Sequence, residues 1–374
     1  MKVVIAGGGT GGHLFPGIAV AEEFKRRDEQ TDVTFIGTRQ GLEARVVPKE
    51  GYEIKFIKSG GLIGKSAIDK ARGLWRLAGS ISASKKMLRE LRPDIVIGTG
   101  GYVSAGPVVS ARMLSIPSLI MEQNLVPGLA NKVLSRVSDA VTVTYHESIP
   151  FLPKTRIFFT GNPVRQSVLR GDKAVALMAL GLEPDRRTVL ILGGSSGARS
   201  INNAMVSALA GLLGMKNDIQ LLHQTGEKDH EAVKRAYGQW GFVAKVEPFL
   251  YEMADAYAAA DLVVSRAGAT TLAELTALGK PSILIPYPYA GGHQEFNAKK
   301  LADMGACRML SDHDLSGELL AAQIKGLLSS EAALSMMGKQ SRALGRPDAA
   351  RKVVDIAESL VKARQDNSSK RSRD

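Results

Sequence analysis

A lone cysteine, Cys307, in 374 residues excludes a disulfide framework and any cysteine-based zinc site, and fits a reducing cytosol. Long apolar runs are missing too, with none near the roughly 18 residues of a membrane-spanning helix. The opening Met1-Lys2-Val3-Val4-Ile5-Ala6 reaches glycine after four apolar residues, too short for a signal-peptide core. A soluble or peripheral protein is expected. Acid is scarce in one stretch: between Lys55 and Arg92 only Asp69 and Glu90 oppose ten lysines and arginines, an excess of eight in a chain of net charge +12. Such a concentration implies a polyanionic partner, nucleic acid or an anionic membrane. No nucleic-acid motif and no interleaved aromatic platform accompanies it, so the membrane is the favoured partner.

What is present is an ordinary globular composition, 44% hydrophobic and 23% charged, at a length that fits two domains. Short β-branched runs alternate with longer helical patterns, the signature of a parallel α/β chain. Strands are predicted at 2–6, 33–37, 54–57, 94–98, 118–121, 140–144 and 156–160. A second set follows at 188–192, 219–223, 243–246, 262–265, 282–286 and 307–310. Gly161-Asn162-Pro163-Val164-Arg165 is the natural joint, giving domains 1–163 and 164–346. The polar stretch 367–374 reads as a disordered tail.

Glycine is clustered. Five of the six positions from Gly7 to Gly12 are glycine, directly between a strand and a helix, where small residues let backbone approach a ligand and helix-end amides attract anions. Further loops follow other strands: Gly98-Thr99-Gly100-Gly101-Tyr102, Gly193-Gly194-Ser195-Ser196-Gly197, and Arg266-Ala267-Gly268-Ala269-Thr270-Thr271. All lie at carboxyl ends of strands, where open α/β sheets bind ligands. The first loop matches the dinucleotide fingerprint, but no carboxylate ends the second strand, which leaves only an NADP reading through Arg39. Ser59–66 resembles a phosphate-binding P-loop but lacks its first glycine. Asp312-His313-Asp314 has chelating spacing and reads instead as a solvated turn with capping carboxylates.

Together GGGTGGHLFPGIAVA, GTGGYVSAGPVVSA, MEQNLVPGLANKVL, GNPVR, GGSSGARSIN and SRAGATTLAEL…GKPSILIPYPYAGGHQEFNAKKL resemble the MurG family of bacterial N-acetylglucosaminyltransferases, in order from Lys2 to about Leu360. The resemblance implies two Rossmann-like doubly wound α/β domains facing across a cleft, the GT-B architecture, with a helix at 347–363 returning to the first domain. It implies inverting transfer of N-acetylglucosamine from UDP-N-acetylglucosamine to the 4-hydroxyl of the muramoyl sugar of lipid I. No cofactor and no metal are called for. The expected partners are these two substrates, the anionic cytoplasmic face of the plasma membrane and other cell-wall synthesis proteins. A UDP-sugar transferase acting on diacylglycerol, or a UDP-N-acetylglucosamine epimerase, would share the nucleotide half.

The resemblance also implies roles. Glu274 accepts the ribose hydroxyls, and Ala269, Thr270 and Thr271, with Leu272 and Ala273 completing the run, present the helix end to the diphosphate. Ser195 touches the nucleotide, Leu250 reads uracil through its backbone, and Gln294 reads the donor sugar. Arg165 offsets phosphate charge from the cleft, and Asn124 reaches the donor from the first domain. Thr10, Gly11 and Gly12 wrap a diphosphate. Two bases stay open for the acceptor hydroxyl: His13, kept neutral at a helix start, and Glu122 at a strand end.

Overall fold

The computed structural model describes residues 1–58, 67–153, 156–194, 197–289 and 292–371, without the side chains of 67–74 and 368–371. The chain divides into two compact units, Met1–Arg165 with Arg346–Asp374, and Gln166–Gly345. Arg165 therefore belongs to the first unit, two residues beyond the joint read from the sequence.

In the first unit β1 (Lys2–Gly7), β2 (Asp32–Gly37), β3 (Glu53–Phe56), β4 (Ile95–Gly100), β5 (Ser118–Glu122), β6 (Ala140–Val143) and β7 (Ile157–Phe159) form a parallel sheet in the order β3-β2-β1-β4-β5-β6-β7. Both sheet faces are covered, so Val3, Val4 and Ile5 are buried in succession, one side packing with Phe24 and Phe35 and the other with Ile36 and Leu88. The terminal helix Ala349–Arg371 completes this core: Val353, Val354 and Ala357 are fully buried in it. Arg27 bonds both Asp355 (2.7 Å) and Glu358 (2.8 Å), which ties that helix to the first helix, Gly11–Arg27. The expected disordered tail needs correction, because residues 367–371 continue this helix. Propagating a helix costs little once its earlier turns are packed.

The second unit repeats the plan with β8 (Arg187–Leu192), β9 (Ile219–Gln224), β10 (Ala244–Glu247), β11 (Leu262–Ser265), β12 (Ser282–Leu284) and β13 (Arg308–Met309), ordered β10-β9-β8-β11-β12-β13. Among the described residues no helix is long and apolar enough to cross a membrane.

Candidate active-site residues in the two units

In the first unit the winding of the sheet reverses between β1 and β4, where parallel sheets open a crevice at their carboxyl ends. The two glycine loops meet there through one side chain. His13 stands in the first turn of helix Gly11–Arg27, behind Thr10, whose extended backbone starts the helix. Its Nδ1 lies 3.2 Å from the Thr99 carbonyl, which also accepts from Gln123 Nε2 at 2.7 Å. A carbonyl only accepts, so the proton sits on Nδ1 and Nε2 keeps its lone pair. Burial lowers the His13 pKa below its ordinary value and outweighs the opposing bonds to Gln123 and Thr99. The ring is thus neutral, with its basic nitrogen defined. Gly100, at φ +107°, must be glycine because a methyl there would press on the His13 ring. Thr10 is exposed, and Gly11 and Gly12 are half-buried in the first turn.

Glu122 is arranged differently. Its Oε1 accepts from the Asn124 amide (2.9 Å) and Asn124 Nδ2 (3.3 Å). Its Oε2 accepts from Gly128 N (3.2 Å) and Asn131 Nδ2 (2.8 Å). Burial raises its pKa, against the lowering by these bonds. Four donors on one carboxylate make Glu122 the hub of the loop that carries Asn124. Arg165 ends the first segment of the first unit. It is buried, stacks 4.3 Å over the Phe15 ring and lies 4.0 Å from Glu50, so its guanidinium is engaged inside the first unit.

In the second unit the winding reverses between β8 and β11. The helix Ala269–Leu278 starts just after β11, with Gly268 at its cap, and aims the amides of its first turn outward from the sheet end. Ala269 and Thr270 are buried, Thr271 and Ala273 half-buried. Leu272 has its side chain 1% exposed, and its N–H donates to the Gly268 carbonyl. Glu274 is buried one turn further on, where Oε2 accepts from the Tyr257 hydroxyl at 2.8 Å. Gln294 Oε1 accepts the amides of Tyr287 (2.9 Å) and Ala267 (3.2 Å), so its NH2 group is the part left to read a hydroxyl. Leu250 is buried, and its N–H donates to Gln224 Oε1 at 2.9 Å, while Gln224 Nε2 donates to Gly194 O at 2.8 Å. Ser195 lies outside the described residues, as do the P-loop look-alike at 59–66 and the apolar Leu62 and Ile63.

Arg266 forms the floor of this region. It donates to Asp312 (2.6 Å), to Ser200 (2.8 Å) and to the carbonyls of Ile285 (3.1 Å) and Pro286 (3.2 Å). Asp312 is therefore an ion-pair partner rather than a solvated cap, and Ser316 caps the following helix by accepting from Leu319. Among the described residues no group of three or more His, Cys, Asp or Glu side chains is placed to hold a metal ion.

Residues 3–143 match the glycosyltransferase family 28 N-terminal domain, and residues 188–358 match the family 28 C-terminal domain. The chain belongs to glycosyltransferase family 28. A family relative from Thermodesulfovibrio yellowstonii, named UDP-N-acetylglucosamine--N-acetylmuramyl-(pentapeptide) pyrophosphoryl-undecaprenol N-acetylglucosamine transferase, is 49% identical over 366 residues, 98% of this chain and 100% of its own. The crystal structure of Acinetobacter baumannii MurG matches with a TM-score of 0.72 and 30% identity, over 96% of this chain and 99% of that one. A UDP-GlcNAc 2-epimerase from Neisseria meningitidis, bound to UDP-GlcNAc, reaches a TM-score of 0.67 at 16% identity, over 95% and 99% of the two chains, a likeness of fold alone. This family 28 chain thus has the GT-B fold, two parallel-sheet α/β domains.

Tyr257 and Gln224, which hold Glu274 and the Leu250 amide, had no role in the sequence reading. Gln224 carried little signal, since Gln220 and His223 already interrupt the same strand. Tyr257 carried none, since a tyrosine inside an alanine-rich helix reads as core.

Proposed function

We propose that this chain transfers N-acetylglucosamine from UDP-N-acetylglucosamine to the 4-hydroxyl of the muramoyl sugar of lipid I, forming lipid II with inversion at the anomeric carbon. Near-full-length identity of 49% to a transferase of that name carries the reading. Glu274 binds the ribose hydroxyls, the helix end at Ala269–Thr271 binds the diphosphate, and the Gln294 NH2 group reads the donor sugar. His13 Nε2 takes the proton of the acceptor 4-hydroxyl as that oxygen bonds to the anomeric carbon. The bond from that carbon to the diphosphate oxygen breaks, and UDP leaves with its negative charge stabilised by helix-end amides. Glu122 orients Asn124. Because amides supply this stabilisation, transfer is expected to persist in EDTA.

The enzyme works peripherally at the cytoplasmic face of the plasma membrane in this reading. Trp75, 82% exposed on helix Ala67–Leu91 beside Arg76, supports it, with the surrounding excess of base. Cations near an anionic surface contribute about 1 kcal/mol each. Equal binding to neutral and anionic vesicles at low salt would remove this part.

Radiolabelled sugar transfer onto a lipid I analogue, with and without EDTA, tests the whole reading. Lipid II-type product in both conditions is expected. Absence of product from active donor and acceptor, or loss in EDTA restored only by magnesium, overturns it.

A further inference from the structure

The first glycine loop reads as a phosphate cradle, yet an anion from the chain itself already sits in it. Glu43 is completely buried, and its carboxylate bridges two loops. One oxygen accepts the Gly9 amide at 2.8 Å. The other accepts both the amide and the hydroxyl of Thr38, each at 2.8 Å. Gly8, Gly37 and Gly41 surround it, and a methyl group on Gly8 or Gly41 would overlap its carboxyl group, one on Gly37 its methylene. No cation among the described residues forms an ion pair with it. A carboxylate stays buried only where donors replace its water, and here backbone amides do so, as they do for a bound phosphate.

We infer that Glu43 is a positioning residue, a resident anion that locks the loop ahead of His13 and withholds the Gly9 amide from substrate phosphate. A phosphate on that amide would have to displace a carboxylate that also holds Thr38, and would meet its charge first. The loop is therefore a rigid seat for the start of the helix bearing His13. The consequence for catalysis rests on His13 being the base, as proposed above.

Glu43→Gln keeps the shape but turns an NH2 group toward the Gly9 N–H, donor against donor. Turnover onto a lipid I analogue should fall about tenfold or more, since small misplacement of a reacting group is that costly. The Michaelis constant for UDP-N-acetylglucosamine should not change, because Glu274, Ala269–Thr271 and Gln294 lie in the other unit and Asn124 is held by Glu122 rather than by Glu43. Glu43→Ala leaves a carboxylate-sized space among the same donors, so added formate should restore turnover and chloride at equal ionic strength should not. An unchanged thermal midpoint and circular-dichroism spectrum in each variant report that the unit carrying Glu43 is folded. Unchanged turnover in Glu43→Gln, or Glu43→Ala turnover that formate leaves untouched, overturns the inference. His13→Ala is measured alongside: its failure to lose turnover removes the base assignment, whereas its loss beside an unaffected Glu43→Gln removes only the role of Glu43.

Discussion

The Tyr257 hydroxyl donates to Glu274 Oε2 at 2.8 Å, with both side chains buried. In the proposed role on the ribose hydroxyls, this carboxylate gains from having one oxygen fixed in advance, because its rotamer freedom is spent before the nucleotide arrives. Hydrogen bonds to charged groups contribute about 1.5–3 kcal/mol. Tyr257→Phe should therefore weaken UDP binding about tenfold by calorimetry, with little change in turnover at saturating donor. It should also narrow the preference for UDP over 2′-deoxy-UDP. A variant that binds both nucleotides as the parent does would show that Tyr257 merely fills space.

His13→Ala should lower turnover by about 10²–10⁴, the usual contribution of a general base, while leaving the donor Michaelis constant alone. The pH dependence has a defined sign. Burial lowers the His13 pKa, so the neutral base persists on acidification and the acid limb of turnover lies below the ordinary histidine value of 6.5. A limb at or above that value, or one retained in His13→Ala, would assign the titration to another group.

Gln224 links Gly194 to the Leu250 amide. Gln224→Leu removes both bonds and leaves the buried Leu250 N–H without an acceptor, a cost of about 1–3 kcal/mol. The donor Michaelis constant should rise as the uracil-side loops loosen, with acceptor kinetics unchanged at saturating donor. Equal damage to both substrates would point to a general loss of folding.

His223 is buried, accepts from the Tyr237 hydroxyl (2.6 Å) and donates to Asn202 Oδ1 (3.0 Å). Burial pushes its pKa down from 6.5 to about 3. The unfolded chain takes up a proton below about 6.5 that the folded chain refuses until about 3, so stability declines as pH falls across that window. The limiting slope is about 1.4 kcal/mol per pH unit. In urea titrations at pH 7 and pH 5, the loss of stability on acidification should be smaller for His223→Gln than for the parent. An identical loss would place the acid sensitivity elsewhere.

Sequence alone determined the strands and the four glycine loops. A parallel strand buried on both faces reads as an apolar run, as in Val3-Val4-Ile5 and Leu262-Val263-Val264, so its position is legible without any partner. Strand ends were less legible: β12 stops at Leu284, and the edge strand β13 keeps only Arg308–Met309, since pairing depends on neighbours. What surrounds each candidate was decided by tertiary structure. Glu122 and His13 were both open as bases on paper, and folding placed four donors around the one and the Thr99 carbonyl against Nδ1 of the other. Glu43 and Gly9 lie 34 positions apart, and His13 and Thr99 lie 86 apart. Such pairs have no periodicity to read, because a hydrogen-bond partner is set by which strand ends the sheet order brings side by side.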